Sequence, residues 1–518
     1  MEFNPDTVQL LTEEEINAHS KAQWQKFYQN VEQLLKRHHP IEWSQMVANN
    51  FRDCRTDFER FAWRPPQHML HSIEANAAYW RRQNHDPVTL ERFKRVMGLY
   101  VRHDDPLQLS FAAKDVTHFA IVLDREQMEI QVHPSHQELA RQELLFVHND
   151  PIPRLSAALL QRYGVTPWQW LHLCERTFLL AFRDPESRVV GGVIAEFARK
   201  SLGLESIAGF IEQSVCTPDQ LARNYRSIRS ATPTHFHAFI NSAFVEMPII
   251  EFGGGRWLVP HPALVTQHMG RGMHRMFTEL WQDTDDPSSA VLREEFANTV
   301  ENHVCRILEC CANKVALIAA NRLRKMTPGK SCDFLLETRN AILLVESKGV
   351  LFTRRLLVPK WMQEDPSTDR IIGGCLQLRQ TYEDLRCGGL NSLVTDRTKP
   401  VVSLIATYGK IPYANTDWYW NKVIAPRAEL KGTPLAMPSC GLPSRPIVMN
   451  HETLEFFIIA LNMLGMSPQQ LLEEYAHHPS YLIGEWNNFL KLQLHGKEID
   501  GLPCIDEAAA RFYNSVSE

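Results

Sequence analysis

The sequence predicts an α/β core, a central mixed sheet flanked by helices, between a large, mainly α-helical N-terminal region and a helical C-terminal tail. Helical periodicity dominates residues 1–245. Short apolar strand patterns alternate with helical ones over 246–430, which is typical of an α/β core. Helical patterns return within 431–518. These observations predict three regions with those boundaries.

The N-terminal region begins with a helix in TEEEINAHSKAQWQKFYQNVEQLLKRHH, where Thr12 is suited to the N-cap position. DPVTLERFKRVMGLYVRH, HPSHQELARQELLFVH and TPDQLARNYRSIR predict further helices, whereas residues 117–133 have a strand-like pattern typical of a hairpin. We interpret 1–245 as a recognition or regulatory region of one or two subdomains.

The central region begins with MPIIEFGGGRWLVPHP, which predicts a hairpin around Gly253 to Gly255. A long helix is expected from about Ser289 to Lys325, because apolar residues recur at helical spacing until the Pro328-Gly329 stop signal. CDFLLE and AILLVES predict two strands, residues 371–386 a helix, and VVSLIATYG a third strand. The proline- and serine-rich stretch GTPLAMPSCGLPSRP then predicts a loop.

Composition limits the class of protein. The 518 residues are 44% hydrophobic, enough for real cores, and the net charge of −5 argues against a dedicated basic coat for nucleic acid. Nucleic-acid contact would therefore need local basic patches. The acidic N-terminus lacks the pattern of a signal peptide, and no apolar run reaches the ~18 residues of a membrane span. We expect a soluble, cytoplasmic protein without membrane contact.

The cysteines do not predict a zinc site. The 11 cysteines include no C-x-x-C pair, and the nearest grouping is Cys305, Cys310 and Cys311 within one expected helix. We interpret these three as apolar core residues, and the cysteines in general as reduced thiols.

Chemistry concentrates on Asp333, Glu346 and Lys348. Glu346 and Lys348 are two residues apart at the end of an apolar strand, so they share one face of the sheet. If Arg339 and Asn340 form a two-residue turn, counting back places Asp333 directly opposite Glu346. A three-residue turn would shift that pairing. The apolar run before Glu346 indicates a buried strand, and active sites of α/β proteins form where such strands end.

This arrangement predicts a divalent metal site. Two adjacent carboxylates repel each other unless a cation lies between them. Mg²⁺ takes one or two carboxylates together with waters and phosphate oxygens, and Mn²⁺ could replace it. A lysine beside the metal can orient a water or stabilise charge on phosphorus. These are the groups that hydrolysis of a phosphodiester requires. The alternative is a pair of surface strands with solvated charges.

The pattern resembles the PD-(D/E)xK nuclease superfamily, which has a restriction-endonuclease-like fold. The resemblance covers residues 290–410 and implies that Asp333, Glu346 and Lys348 are catalytic, with both carboxylates on the metal. It implies a further catalytic carboxylate on the preceding helix, which completes the metal shell directly or through water: VENHVCRILE places Glu301 there, with Glu295 as the competing assignment. Cys332 stands where the family usually has proline. Gln377 fits loosely the glutamine of the following helix.

Substrate contacts are expected from Lys330, Gln377, Arg354 and Arg355, whose cations or amide could meet phosphates. Each of these cations could equally belong to a solvated surface. The glycines near Lys330 do not form a P-loop, because Arg324 stands where the first glycine of that motif belongs.

The leading hypothesis is a Mg²⁺-dependent nuclease, a DNA endonuclease that acts as an antiviral (anti-phage) defence effector. Its N-terminal region would respond to a protein trigger, which is an argument from analogy at the level of the fold. The second hypothesis keeps the fold but changes the substrate to RNA, for example tRNA. The third is a non-catalytic sensor or binding protein with a relic nuclease core.

Overall fold

A computed structural model describes most of the chain. The described residues are 13–53, 66–102, 136–148, 152–184, 186, 188–231, 243–282, 287–326, 329–351, 363–411, 414–432, 435, 442, 444–478, 486–497 and 501–515. Within these ranges, no helix combines the length and the hydropathy needed to cross a membrane. Residues 117–133, where the sequence predicts a strand-like hairpin, lie outside them.

The chain forms two compact units. Unit 1 comprises residues 1–139 and 156–279, and unit 2 comprises 140–155 and 280–518. These limits differ from the expected region boundaries at 245 and 430, which stay predictions. The class is mixed α/β and mostly helical, as the sequence predicts.

Helices form most of the chain before the second sheet. They are α1 (Glu13–Leu35), α2 (Pro40–Asp53), α3 (Pro66–Ala77), α4 (Leu90–Arg102), α5 (His136–Glu143) with a π-helical continuation (Leu144–His148), α6 (Pro153–Tyr163), α7 (Pro167–Arg183), α8 (Gly191–Ser201), α9 (Ala208–Ser214), α10 (Pro218–Ala231), a 3-10 turn (Ala243–Val245) and α11 (Pro262–Leu280). The expected helical character of the N-terminal region is therefore confirmed for its described residues.

Unit 1 also contains a small sheet. Its strands are β1 (Arg188–Val190), β2 (Val215–Cys216), β3 (Ile249–Glu251) and β4 (Arg256–Leu258), in the order β1-β4-β3-β2. Strands β3 and β4 pair antiparallel around the three glycines, which all have positive φ. The hairpin predicted at Gly253 to Gly255 is confirmed, since this left-handed backbone is accessible to glycine.

Unit 2 is built on a mixed five-stranded sheet. Its strands are β5 (Lys314–Ala319), β6 (Phe334–Thr338), β7 (Ile342–Lys348), β8 (Val401–Thr407) and β9 (Ile447–Asn450). They lie in sequence order; β5, β6 and β7 are antiparallel, and β7, β8 and β9 are parallel. The central mixed sheet that the sequence predicts is present.

The helices of unit 2 follow the expected alternation. They are α12 (Pro287–Glu309), α13 (Ala320–Leu323), α14 (Pro366–Arg386), α15 (Asp417–Tyr419) with a π-helical continuation (Trp420–Ile424), α16 (Ala425–Leu430), α17 (His451–Leu464), α18 (Pro468–His477), α19 (Trp486–Gln493) and α20 (Pro503–Asn514).

The long helix expected from Ser289 to Lys325 is wrong. Helix α12 ends at Glu309, and KVALIA then forms β5 against β6. Pairing with β6 outweighs the helical spacing, since strand preference depends on neighbouring strands more than on local sequence. The C-terminal region is helical as predicted apart from β9, which joins the sheet beside β8.

The two faces of the sheet carry different residues. Phe334, Leu336, Leu343 and Val345 belong to one large apolar cluster with α12, α17, α19 and α20. Side chains alternate along a strand, so Asp333, Glu346 and Lys348 belong to the other face. Helix α14 packs over that face against β7 and β8. This face, beneath α14, carries the candidate site.

Candidate active site

The β6–β7 hairpin sets the position of the carboxylates. Thr338 donates its backbone N–H to Ala341 O at 2.9 Å, and Phe334 pairs with Val345. The two-residue turn at Arg339 and Asn340 and the predicted register are therefore confirmed. One step beyond Phe334, Asp333 lies opposite Glu346.

Asp333 and Glu346 are drawn together at the end of this hairpin. The backbone N–H of Ser347 donates to Asp333 Oδ2 at 2.8 Å, so the aspartate is held against β7. The Glu346 side chain is only 1% exposed and lies on the same face. The sequence-predicted pair of carboxylates is thus brought together.

Lys348 contacts both Glu346 and helix α14. Its Nζ pairs with Glu346 Oε1 and donates to Gln377 Oε1 at 3.1 Å. The predicted common face of Glu346 and Lys348 is therefore confirmed. Gly374 of α14 lies against both side chains: a Cβ there would be in van der Waals contact, 3.4 Å from Glu346 Cγ and 3.5 Å from Lys348 Cε.

Helix α14 also holds the chain that leads to Asp333. Gln377 Nε2 donates to Ser331 O at 3.2 Å, and Thr381 Oγ1 accepts from the backbone N–H of Cys332 at 2.8 Å. Gln377 therefore connects Lys348 with the segment before Asp333. Its predicted role as a substrate contact stays a prediction, because both ends of its amide are engaged within the protein.

The charged forms of the site carboxylates are disfavoured. Burial and the neighbouring charge of Asp333 together raise the pKa of Glu346 to about 8, although Lys348 opposes both effects. Burial likewise raises the pKa of Asp333, against the hydrogen bond from Ser347 and the charges of Lys348 and Arg324. Removing a carboxylate from water disfavours its charged form unless a cation compensates. Lys348 alone does not compensate both groups.

Glu301 on α12 is electrostatically connected to this pair. Burial and the charge of Asp333 raise its pKa to about 7, although the charges of Arg324 and Lys348 oppose them. The alternative, Glu295, is engaged elsewhere: its carboxylate accepts from the backbone N–H groups of Arg154 and Leu155 at the start of α6. Glu301 therefore interacts electrostatically with Asp333, whereas Glu295 is committed to α6.

The donor set fits a small divalent cation at two carboxylates. Glu346 Oε2 is buried and accepts no hydrogen bond from any described residue. A cation would compensate this oxygen and the repulsion from Asp333. The described part of the chain contains no group of three or more His, Cys, Asp or Glu side chains arranged to hold a metal ion. Mg²⁺ needs no such group, since it takes one or two carboxylates together with waters and substrate phosphate.

The predicted cations have different outcomes. Lys330 is exposed three residues before Asp333, whereas Arg354 and Arg355 lie outside the described residues. The sequence reasoning missed Arg324, whose Nη2 lies 3.7 Å from Asp333 Oδ1. Nothing in its sequence context distinguishes it from other surface arginines. The missed Gly374 does carry a signal, because its GG pair lies on an otherwise regular helix.

No protein-family model, curated protein or solved structure matches the chain.

Proposed function

We propose that the chain is a metal-dependent nuclease whose core, from α12 to β8, has the PD-(D/E)xK arrangement. The observation that carries the proposal is the opposition of Asp333 and Glu346 across a two-residue hairpin, with Lys348 on the same face. The order of elements also supports it: a helix carrying Glu301, the hairpin, and a helix carrying Gln377. Perturbed carboxylates gathered around one lysine favour a catalytic site over a solvated surface.

Asp333 and Glu346 would hold Mg²⁺ or Mn²⁺, with the unpartnered Oε2 of Glu346 as one ligand atom. The ion, when bound, supplies Lewis-acid activation of water and neutralises charge on the phosphate. Gln377 fixes the ammonium of Lys348, which can orient the attacking water or donate to a phosphate oxygen. Glu301 would complete the metal shell, directly or through a bound water.

DNA is the proposed substrate and RNA the alternative, because both present the same phosphodiester. The test incubates purified protein with supercoiled plasmid and with total RNA, in Mg²⁺, in Mn²⁺ and in EDTA. We expect metal-dependent cleavage of plasmid that Lys348→Ala abolishes and Lys497→Ala leaves unchanged. Degradation of RNA alone would replace DNA with RNA as the proposed substrate. No cleavage of either nucleic acid would overturn the proposal of a nuclease.

The proposed biological role is that of an antiviral defence effector in the cytoplasm, restrained until a protein trigger engages the N-terminal region. A non-catalytic sensor with a relic core is the competing reading. Expressing wild type and Lys348→Ala in phage-challenged bacteria separates the two. Protection that persists in a correctly folded Lys348→Ala protein would favour the sensor.

A further inference from the structure

The connection between β5 and β6 leads directly to the candidate site. Ala319 at the end of β5 pairs with Phe334 at the start of β6. The residues between them therefore leave and re-enter the sheet at the end that carries Asp333. We call the described residues of this segment, 320–326 (ANRLRKM) and 329–332 (GKSC), the basic connection.

The charge of the basic connection is unlike that of the whole chain. It contains four cations and no acidic residue, whereas the full chain has a net charge of −5. All four cations are exposed: Arg322, Arg324, Lys325 and Lys330. A local run of exposed cations within an acidic chain is the electrostatic pattern that local binding of a polyanion requires.

The described parts of the basic connection are anchored at both ends. Ala320 and Leu323 are buried at its start. At its end, Gln377 holds the carbonyl of Ser331 and Thr381 holds the N–H of Cys332. Arg322 and Arg324 therefore flank the buried Leu323, and Lys330 directly precedes the hydrogen-bonded Ser331.

Arg324 connects this surface to the carboxylates. Its side chain is 59% exposed, yet its Nη2 lies 3.7 Å from Asp333 Oδ1. Arg322, Lys325 and Lys330 form no ion pair with any described residue. Three of the four cations are thus available to an external anion, and the fourth pairs with Asp333.

We propose that the basic connection is the surface that binds the sugar-phosphate backbone of a nucleic-acid strand and leads it to Asp333 and Glu346. This inference rests on the proposed nuclease function and assigns its substrate contacts. Cations that touch phosphates position the strand without reading its sequence. The surface would therefore bind without strong sequence preference.

The test measures binding without turnover. Labelled single-stranded DNA, duplex DNA and RNA of one sequence are titrated in EDTA against the Lys348→Ala protein, over a series of salt concentrations. The test variant adds Arg322→Gln, Lys325→Gln and Lys330→Gln. Arg324 is kept because it contacts Asp333. Lys497→Gln is the control, since this exposed lysine follows α19, which belongs to the cluster on the opposite sheet face.

Each lost phosphate contact reduces the slope of log K against log salt by about 0.7 for single strands and about 0.9 for duplex DNA. We therefore expect the triple variant to lose about 2 to 3 units of slope, and Lys497→Gln to lose none. The nucleic acid that the Lys348→Ala parent binds most tightly at a fixed salt concentration identifies the substrate class. An unchanged slope and affinity in the triple variant, or no binding of any of the three ligands by the parent protein, would overturn the proposal.

Binding and cleavage fail separately in this design. Salt-dependent binding through the basic connection, combined with no cleavage by wild type in Mg²⁺, would support the binding surface and contradict the proposed nuclease activity. If cleavage and binding are both unchanged in the triple variant, the nuclease proposal is supported and the binding surface is contradicted. Thermal unfolding of each variant checks that the substitutions leave the fold intact.

Discussion

Two buried glutamates lie on the same face of one hairpin and have opposite electrostatic states. Glu337, opposite Ile342, lies near the turn, and Glu346 lies at the other end. At the turn, Lys399 Nζ donates to Glu337 Oε1 at 2.7 Å, and Thr395 donates through its hydroxyl and its N–H. At the other end, Glu346 has Lys348 on one oxygen and no described partner on the second.

The pKa values follow from this difference. Burial raises the pKa of Glu337, but the hydrogen bonds from Lys399 and Thr395 outweigh it and leave the pKa lowered. Burial and Asp333 instead leave the pKa of Glu346 raised to about 8. A buried charge with a complete set of partners is typical of a structural ion pair. An incompletely compensated carboxylate is a feature that functional sites often have.

The largest expected effect on activity is at Glu346, whose second carboxylate oxygen has no described partner. Lys348→Ala should reduce the rate of plasmid cleavage by about 100-fold to 1,000-fold or more, because it removes a cation that stabilises developing charge. Stability should change little, since Glu346 can take up a proton once the lysine is gone. A supercoiled-plasmid assay and a urea titration measure both. Cleavage within a few-fold of wild type would contradict the comparison.

Substitution at the Glu337–Lys399 pair should change the stability of the protein rather than its activity. Lys399→Ala leaves Glu337 buried without its cation, which costs about 3 to 5 kcal/mol in the free energy of unfolding. Urea unfolding measures this cost, and cleavage per folded molecule should be unchanged. The double variant Glu337→Gln, Lys399→Met is the control, and it should recover much of the loss. A loss below about 1 kcal/mol, as for an exposed pair, would show that Glu337 is not held as described.

The pH dependence of stability should have opposite signs at the two ends. Glu346 has a raised pKa, so the folded state without metal binds its proton more tightly, and stability falls as pH rises from about 4.5 to about 8. Each such group contributes about 1.4 kcal/mol per pH unit in its window. Glu337 has a lowered pKa, so its contribution is present above its unfolded pKa and is lost as pH falls through its folded value.

Urea unfolding in EDTA between pH 5.5 and 8 measures the first effect. Glu346→Gln should flatten the slope, whereas Glu337→Gln should leave it. Added Mg²⁺ should stabilise wild type more at pH 8 than at pH 6, because it competes with the proton. An equal Mg²⁺ effect at both values would argue against binding at Glu346.

The smallest expected effect compares two adjacent glycines on α14. Both Gly373→Ala and Gly374→Ala gain about 0.8 to 1 kcal/mol of helix propensity. A Cβ at Gly373 meets nothing within 4 Å, whereas one at Gly374 contacts Glu346 and Lys348. Cleavage should therefore be unchanged in the first variant and fall by about tenfold or less in the second. Equal activity in both would show that α14 does not confine these side chains.

The sequence predicts the hairpin end of the site well. A two-residue turn between apolar runs determines the register, so the position of Asp333 opposite Glu346 follows from counting. Glu301 could not be separated from Glu295 in this way, because both lie on one helix and the choice depends on the distant start of α6.

The sequence does not predict the two edge strands of the five-stranded sheet, β5 and β9. The residues of β5 extend the apolar spacing of α12, and β9 is only four residues long, so each depends on a partner strand for its identity. Arg324 was missed because an exposed arginine in a turn resembles any solvated one. Its relevance comes from the 3.7 Å approach to Asp333, which requires the antiparallel return of β6.

The two-residue turn at Arg339 and Asn340 makes the site sensitive to length. A strand has a repeat of two, so one residue inserted there would direct alternate side chains of β7 to the opposite face. Glu346 and Lys348 would then point into the apolar cluster, and Val345 would face α14. Two inserted residues could loop out and preserve the facing. Natural variants of this hairpin should therefore differ in turn length by even numbers, whatever residues occupy the turn.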